Sequence, residues 1–369
     1  MNSIISIILP CQNEKETIER CVMEIKKIAL KKNLTIEIIV SDSSKDGSDE
    51  IAKRKGALLI KHDMEGYGFA IREGVRHAKG EIVIYADADN TYHFADIPKF
   101  LEKLEEADIV IGSRFSGRIE KGAMPLSHRF LGTPLFNILL RFIFGIKISD
   151  SQSGYRAMRK KTFSELNLKT DGMEFATEMI IKAKKKNMKI KEIPIDYSKR
   201  KGVSKLRRYR DGMAHLKYIL VQTPLAFYFT SGIFFFVVGI TSLILANLPL
   251  QNLPALFNSA TVKILFPILG IELIFLGFFA KTILYTKYKE ENEFIRSFYL
   301  TIKFRTAIFI SSLLILIPII FKLAGHTDQL FEIFLMSTIL GIQIIFNLLI
   351  LLIFNPFTLY KDKSNIIEV

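Results

Sequence analysis

The sequence predicts an α/β domain with a mainly parallel sheet, followed by an all-α membrane domain. Three observations lead to this fold class. Short β-branched runs alternate with amphipathic stretches early in the chain, polar clusters follow several of these runs, and the second half contains long apolar stretches with few charges. The chain has 369 residues, 49% of them hydrophobic, which suffices for one soluble domain and a helical bundle in the bilayer.

The alternation in the first 112 residues defines five strands and four helices. The predicted strands are Ile4–Leu9, Ile36–Val40, Ala57–Ile60, Ile82–Ala86 and Asp108–Ile111. The predicted helices between them are Glu14–Leu30, Ser48–Lys55, Gly66–Ala78 and Phe94–Glu105. Strands separated by helices form right-handed crossovers, so we expect ligands at the carboxyl ends of the strands.

Two later segments combine apolar and basic residues at helical spacing. Residues 125–145 carry His128, Arg129 and Arg141 on an otherwise apolar stretch, and residues 205–220 form a second basic amphipathic stretch. We expect both to lie in the headgroup layer of a membrane.

Four apolar stretches, 225–247, 262–284, 306–324 and 331–354, are each long enough to cross a bilayer. The connection 248–261 has no Lys or Arg, whereas 285–305 carries Lys287, Lys289, Arg296, Lys303 and Arg305. The positive-inside rule then places both termini in the cytoplasm. The predicted division is a cytoplasmic domain at 1–222, a four-helix membrane domain at 223–356 and a cytoplasmic tail at 357–369, in a multi-pass protein of the cell membrane.

The net charge of +14 is compatible with nucleic acid, anionic lipid or a phosphorylated substrate. The apolar stretches favour the last two, so we expect no nucleic-acid partner. Cys11 and Cys21 have no metal-type spacing and are interpreted as reduced packing residues. The amino terminus has neither a basic region nor a long apolar region, so no cleaved signal peptide is expected.

Asp87-Ala88-Asp89 is the most informative motif. It closes an apolar strand, and residues two apart in a strand face the same way, so both carboxylates could reach one Mg²⁺ or Mn²⁺ ion. The alternative is a polar strand terminus that caps a helix.

Other polar positions follow the neighbouring strands. Asp42, after the second strand, could accept a hydrogen bond from a nucleobase or ribose, or could belong to an ordinary Asx-rich turn. Gly68 lies in a glycine-rich helix start of the kind that approaches phosphate closely. Taken with Asp87 and Asp89, these positions point to a nucleotide diphosphate.

In motif order, residues 4–210 resemble glycosyltransferase family 2. Pro10-Cys11-Gln12-Asn13-Glu14, Val40–Ser48 and Asp87-Ala88-Asp89 are similar to three of its motifs. Ile111–Arg114, Asp150–Ala157 and Arg200–Leu206 resemble its polyprenyl-phosphate branch, which includes dolichyl-phosphate mannose and glucose synthases. The resemblance implies a Rossmann-like GT-A fold, a nucleotide-sugar donor and a divalent metal, Mg²⁺ or Mn²⁺, held by Asp87 and Asp89.

The resemblance also assigns residues to the donor site, but three positions of this chain differ from the family's motifs there. The implied nucleotide-sugar-binding residues are Pro10, Gln12, Glu14, Asp42, Gly68, Asp87 and Ala88. Gln12 stands where the branch often has Tyr, Ser41 replaces the first Asp of an Asp-Asp pair, and Thr91 stands where mannose synthases have a metal-binding Gln. The nucleotide and the third metal ligand therefore stay open.

A polyprenyl phosphate acceptor is already anionic near neutral pH, so its oxygen needs positioning more than it needs a strong general base. We expect the arginines Arg114, Arg129 and Arg200 to hold this phosphate, together with Ser204 and Lys205. For Arg129 a snorkelling role at the membrane surface is an equal alternative.

Four residues are expected to take part in catalysis: Asp89, Arg114, Asp150 and Glu178. Asp150 would orient an arginine or contact sugar hydroxyls. Glu178 would lie near the acceptor, or be a solvated helix charge or the partner of an arginine.

The predicted function is inverting transfer of one sugar, from GDP-mannose or UDP-glucose, to a polyprenyl or dolichyl phosphate at the bilayer. A processive polysaccharide synthase is disfavoured because such enzymes share a Gln-x-x-Arg-Trp motif and this chain has no Trp. A non-catalytic scaffold or lipid-sugar carrier subunit is the alternative from another class. A homo-oligomer is possible in either case.

Overall fold

The structure is a computed structural model that describes residues 4–202, 207–246, 259–288, 293–301, 308–309, 311–313, 315–316 and 331–353. The chain divides into two compact units, Met1–Ile219 and Leu220–Val369. Each unit is described by itself.

The first unit alternates strands and helices as the sequence predicts. Its strands are β1 (Ile5–Cys11), β2 (Ile36–Asp42), β3 (Leu58–Lys61), β4 (Ile82–Tyr85), β5 (Ile109–Ser113), β6 (Arg156–Arg159) and β7 (Ile190–Pro194). Its helices are α1 (Ile18–Lys32), α2 (Ser48–Arg54), α3 (Tyr67–His77), α4 (Ile97–Lys103), α5 (Thr133–Phe144), α6 (Lys160–Leu166), α7 (Phe175–Lys185) and α8 (Arg208–Gln222), which crosses into the second unit. A 3₁₀ turn, Phe94–Asp96, leads into α4, and a π-helical turn, His128–Gly132, leads into α5.

The seven strands form one sheet in the order β3-β2-β1-β4-β6-β5-β7. β1 pairs in parallel with both β2 and β4, which confirms the mainly parallel sheet. The short, partly polar β6 is antiparallel to β4 and β5. After β3 the chain returns to the other side of β1, so β1 and β4 flank a topological switch point, where open α/β sheets bind ligands.

The core lies between the sheet and its helices. Fully buried apolar residues of β1, including Ile7 and Leu9, pack with Ile18, Val22 and Ile25 of α1. Cys11 and Cys21 are free and buried, and burial raises the pKa of both thiols to about 12. Both are therefore protonated packing residues, in line with the sequence analysis.

The described helices of the second unit are α9 (Leu225–Ala246), α10 (Ala260–Lys287), α11 (Glu293–Thr301) and α12 (Phe331–Ile353). Two apolar segments, Leu225–Leu245 and Thr261–Lys287, are long enough to cross a membrane, and Leu335–Leu351 is a shorter apolar helix. The predicted span 306–324 lies largely outside the described residues, and the predicted tail 357–369 lies wholly outside them.

α9 and α10 pack closely through glycine. A Cβ atom on Gly232 would lie 2.7 Å from the Gly270 carbonyl oxygen, and a Cβ on Gly270 would lie 2.6 Å from that of Gly232. Small residues at such a contact let helix backbones approach, as is common between membrane helices. Asn347 of α12 donates to Glu272 Oε1 of α10 at 3.0 Å, which adds a polar contact between helices.

Candidate active site

The sheet order brings the predicted donor-site segments to one edge. β2, β1 and β4 are neighbours and parallel. Asp42, Pro10–Glu14 and Asp87–Asp89 therefore lie at the carboxyl ends of adjacent strands. The main chain of Ala88 is tied to α1, because its carbonyl oxygen accepts the Thr17 hydroxyl at 2.7 Å. The aspartate motif is thus anchored to the first helix.

Asp87 and Asp89 differ in their surroundings. Asp89 is buried, and its Oδ1 accepts the backbone N–H of Thr91 at 3.1 Å and the Thr91 hydroxyl at 2.6 Å. Asp87 is half-buried. Loss of water contact, and then the like charge of Asp89, raise the pKa of the Asp87 carboxyl, while the charges of Arg200 and Arg114 oppose this rise.

Arg200 joins two carboxylates from distant parts of the chain. Its Nη2 donates to Glu14 Oε1 at 3.0 Å, and its Nε lies 3.2 Å from Asp89 Oδ2 in an ion pair without hydrogen-bond geometry. The Ser198 backbone N–H donates to the Thr91 carbonyl at 2.9 Å, which fixes the segment before Arg200 beside the aspartate motif. The sequence analysis expected Glu14 to bind the nucleotide. In the structure its carboxylate forms an ion pair with Arg200.

Arg114 is held more rigidly. Its Nε and Nη2 donate to the two oxygens of Asp150 at 2.7 and 2.8 Å, and its backbone N–H donates to Asp150 Oδ2 at 3.0 Å. The guanidinium also lies over the Tyr197 ring, 5.2 Å from its centroid. The fully buried Asp150 therefore orients an arginine, as one of its two predicted roles requires.

Glu192 fixes the segment that carries Asp150. Its Oε1 accepts the backbone N–H groups of Ser149 and Asp150, at 3.0 and 2.9 Å. Sequence analysis missed this residue, because a glutamate in a strand with partly exposed positions gives no signal of such a contact.

Asp42 is fully buried and bound by the protein itself. Oδ2 accepts Lys61 Nζ at 2.8 Å and the Ser44 N–H at 3.1 Å, and Oδ1 accepts the Ser44 hydroxyl at 2.5 Å. Lys61 also bonds Asp49 Oδ2 and the Ser44 carbonyl, both at 2.7 Å. In this structure Asp42 anchors the turn after β2, which corresponds to the Asx-turn alternative and not to an open acceptor for a base. Pro10, within β1, and Gln12, just after β1, are both half-buried.

Gly68 lies at the start of α3 and has no room for a side chain. A Cβ atom there would lie 2.4 Å from the Thr170 carbonyl oxygen, and the Gly68 N–H donates to the Asp171 carbonyl at 2.8 Å. The Gly68 N–H is therefore already hydrogen-bonded within the protein. The missing side chain of Gly68 lets α3 pack closely against the segment before α7.

Glu178 is fully buried, so it is not a solvated helix charge. Its carboxylate accepts the backbone N–H groups of Lys169 and Thr170 at 2.9 and 2.8 Å, the Thr170 hydroxyl at 2.6 Å and Lys182 Nζ at 2.7 Å. Its partners are thus a lysine and the segment that packs on α3, and not an arginine. A role near the acceptor stays a prediction.

Among the remaining predicted phosphate-binding residues, only Arg129 lies in the described part of the chain, and no contact of it with this group is found there. Arg129 lies on the π-helical turn with its guanidinium 5.5 Å from the Phe130 ring centroid. Ser204 and Lys205 lie outside the described residues. The side chains brought together are therefore Glu14, Asp87, Asp89, Arg114 with Asp150, and Arg200.

The donor set suits a hard divalent cation. Among the described residues no group of three His, Cys, Asp or Glu side chains could hold a metal. Mg²⁺, however, usually binds through one or two carboxylates and completes its coordination with phosphate and water. Asp87 and Asp89, which repel each other, fit such a shared site.

Comparison with known proteins gives the family. The family model "Glycosyl transferase family 2" matches residues 6–166. The chain is 35% identical over 244 residues to the low-salt glycan biosynthesis hexosyltransferase Agl6 of Haloferax volcanii, covering 66% of this chain and 59% of that protein. It is 30% identical to the dolichyl-phosphate hexose transferase of the same organism, covering 57% of this chain and 90% of that protein.

A crystal structure of a mycobacterial protein has a similar fold, with a TM-score of 0.50 and 18% identity, covering 60% of this chain and 75% of that chain.

The chain belongs to glycosyl transferase family 2 and is a glycosyltransferase. This assignment disfavours the non-catalytic scaffold.

His215 of α8 lies buried against α7 and α5. Its Nδ1 is 2.7 Å from the Thr177 hydroxyl, and its ring centroid is 5.3 Å from that of Phe136. Thr177 also accepts Gln152 Nε2 at 3.3 Å, which links α8 to the segment after Asp150. Burial, and then the charge of Arg156, lower the pKa of His215 to about 4.

We expect this histidine to make the protein less stable in acid. Between pH 6.5 and about 4 the unfolded chain binds a proton at His215 that the folded protein does not, so stability falls as the pH is lowered, by about 3 kcal/mol in all. Melting temperatures of the detergent-solubilised protein at pH 7.5 and 4.5 measure this loss. It should be smaller in His215→Gln, and unchanged in the control His77→Gln, which removes a more exposed imidazole. Equal losses in all three proteins would contradict the prediction.

Proposed function

We propose that this glycosyltransferase transfers one hexose from a nucleotide sugar to a polyprenyl phosphate, with inversion at the anomeric carbon. The observation that carries the proposal is the pair Asp87 and Asp89 at the end of β4, with Arg114 and Arg200 beside it. Carboxylates that hold a cation suit the donor diphosphate, and guanidinium groups suit a phosphate acceptor. The names of the two Haloferax relatives support a hexose, and one of them supports a dolichyl-phosphate acceptor.

Asp87 and Asp89 would hold Mg²⁺ or Mn²⁺, which supplies electrostatic stabilisation of the departing nucleoside diphosphate. Arg114 has two Nη groups, and Asp150 takes only one N–H of Nη2, so its other Nη donors are available to phosphate. Asp150 keeps this guanidinium in one orientation. Arg200 would supply the second set of donors once it leaves Asp89.

The acceptor oxygen carries a negative charge and no proton needs to be removed. It forms a bond to the anomeric carbon as the bond from that carbon to the diphosphate oxygen breaks, and the nucleoside diphosphate leaves as an anion. One in-line displacement inverts the configuration. The work of the protein is then to position two anionic groups against their repulsion.

One prediction from this proposal concerns the donor and the cation. The detergent-solubilised protein should convert a polyprenyl phosphate to a glycolipid with radiolabelled GDP-mannose or with UDP-glucose, tested separately, and EDTA should abolish the product until Mg²⁺ or Mn²⁺ is restored. Asp89→Asn should lower transfer by at least about a hundredfold, because the cation loses a charged ligand. The control Asp63→Asn, at an exposed carboxylate, should be unaffected.

Lipid product that forms equally well in EDTA would contradict the cation site. No product from these donors or from a wider set of nucleotide sugars would contradict the proposed reaction.

Another prediction from this proposal concerns Arg200. Its guanidinium lies where a cation would approach Asp89, so Arg200→Gln should bind Mn²⁺ without nucleotide at least about tenfold more tightly, since one positive charge is removed. The same variant should lose about tenfold to a hundredfold in kcat/KM for the lipid phosphate. Electron paramagnetic resonance of free Mn²⁺ and initial rates measure the two effects. Lys199→Gln, at the preceding exposed residue, is the control. Weaker Mn²⁺ binding in Arg200→Gln would contradict this role.

We further propose that the helix α5 and the turn before it lie on the membrane surface. One side of this segment exposes large apolar residues: Leu126, Phe130, Leu131, Leu135, Ile138 and Phe142. Phe142 is 74% exposed and Leu126 is 72% exposed. Arg129 and Arg141 flank this apolar surface, which is the composition of a helix in the headgroup layer of an anionic membrane.

This docking fits a multi-pass protein with its catalytic unit and both termini in the cytoplasm, as the basic connection 285–305 favours. A lipid phosphate lies in the headgroup plane, so a catalytic unit docked there would meet it without removing the lipid from the bilayer.

The absence of Trp from the sequence makes the docking directly measurable. Phe142→Trp introduces the only indole, and we expect brominated lipids in nanodiscs to quench its fluorescence because the ring enters the bilayer. Met23→Trp, at a 49% exposed position of α1, is the matched control and should not be quenched. Equal quenching of both, or of neither, would contradict docking through α5.

A further inference from the structure

Two tyrosine hydroxyls hold the peptide groups of Gly154. The Gly154 N–H donates to the Tyr92 hydroxyl oxygen at 2.9 Å, and the Gly154 carbonyl oxygen accepts the Tyr67 hydroxyl at 3.3 Å. Tyr92 and Gly154 are buried, and Tyr67 is half-buried. The tyrosines come from different segments, one at the start of α3 and the other just after the aspartate motif.

Gly154 lies directly against the Asp87 carboxylate. A Cβ atom on Gly154 would lie 3.0 Å from each Asp87 oxygen and 2.7 Å from the Tyr67 hydroxyl. Gly154 has no positive φ, so space and not backbone conformation requires glycine here. The Tyr67 hydroxyl, which donates its proton to the Gly154 carbonyl oxygen, lies beside the same position as these carboxylate oxygens.

Both tyrosine rings are packed in place. The Tyr67 ring meets that of Phe175 edge-on at 6.4 Å, and the Tyr92 ring lies 5.4 Å from Tyr155 and 5.3 Å from Tyr197. The hydroxyls that meet Gly154 are therefore fixed by packing on two sides.

The segment before β6 is fixed as well. The fully buried Arg156 donates from Nε to the Ser153 carbonyl at 3.0 Å and from Nη2 to the Ser151 carbonyl at 2.9 Å. The backbone on either side of Gly154 thus has little freedom to withdraw from Asp87.

We infer that Tyr67, Tyr92 and Gly154 are positioning residues that hold Asp87 ready to bind the divalent cation. Repulsion by Asp89 favours rotation of Asp87 away from its neighbour, and the Gly154 backbone, which leaves no room for a Cβ atom beside either carboxylate oxygen, limits that rotation. Tyr67 acts through the Gly154 carbonyl oxygen, so the carboxylate oxygens of Asp87 stay available to the cation. Such support replaces the constraint that a third protein ligand would give. The inference rests on the proposed function, because it needs the cation at Asp87 and Asp89.

The test measures Mn²⁺ itself, apart from activity. Full-length detergent-solubilised variants are titrated with Mn²⁺ alone and the free ion is followed by electron paramagnetic resonance. Gly154→Ala places a methyl group against the carboxylate and should weaken Mn²⁺ binding by at least about tenfold, and Tyr67→Phe, which removes only the hydroxyl, should weaken it by about tenfold. At saturating Mn²⁺ the transfer rate of Tyr67→Phe should return to near the wild-type value.

Tyr155→Phe is the matched control. Among the described residues the buried Tyr155 hydroxyl has no hydrogen-bond partner, so its removal leaves a similar ring and should not change Mn²⁺ affinity. Melting temperatures verify that each variant is folded, and Tyr67→Phe keeps the inference testable if Gly154→Ala does not fold.

The outcomes separate the two proposals. Wild-type affinity in Tyr67→Phe would overturn the positioning role while leaving the cation site intact. Reduced activity in Tyr67→Phe that saturating Mn²⁺ does not restore would also overturn it, because the defect would then be structural. A wild-type protein that binds no Mn²⁺ and transfers sugar in EDTA would overturn the cation site and this inference with it.

Discussion

The repulsion between the Asp87 and Asp89 carboxylates is the interaction on which the candidate site depends. Two like charges at the end of a buried strand are unfavourable unless nearby groups compensate them. Thr91 donates to Asp89, and the charges of Arg200 and Arg114 oppose the rise in the pKa of Asp87. The compensation is partial, since that pKa is still raised. Burial raises it most and the like charge of Asp89 next, and a bound cation would reduce both penalties.

The two arginines of the site are held in different ways, and the difference suits different tasks. Arg114 is buried and bonded through both Nε and Nη2 to Asp150, whose backbone is fixed in turn by Glu192. Arg200 is a quarter exposed, and its contact with Asp89 lacks hydrogen-bond geometry. Arg114 is thus held in one orientation, whereas Arg200 is held less tightly at Asp89, which suits the exchange of a carboxylate for a phosphate that we propose.

The sequence predicted what depends on local pattern. Strand and helix periodicity located the first five strands and the helices between them, and parallel pairing then implied that Asp42 and Asp87 follow neighbouring strands. It could not predict which side chains meet. Arg200 and Glu14 are 186 residues apart, and the pairing of Asp42 with Lys61 depends on how β3 lies against β2. Nor could the sequence assign a role to Tyr67 or Tyr92, because a tyrosine beside a motif does not reveal where its hydroxyl points.

The anionic acceptor that we propose would account for a site built mainly from arginines and carboxylates. A neutral hydroxyl acceptor would need a base at the site, and the buried His215, whose pKa is strongly lowered, instead bonds Thr177 on α7. A phosphate oxygen needs no deprotonation, so the barrier comes mainly from bringing it toward a diphosphate of the same sign. Cationic groups on both sides of the reacting carbon reduce that repulsion, a cation at the diphosphate and guanidinium groups at the acceptor. In the proposed reaction, the arrangement of Asp87 beside Arg114 and Arg200 would therefore act through charge and would need no proton transfer.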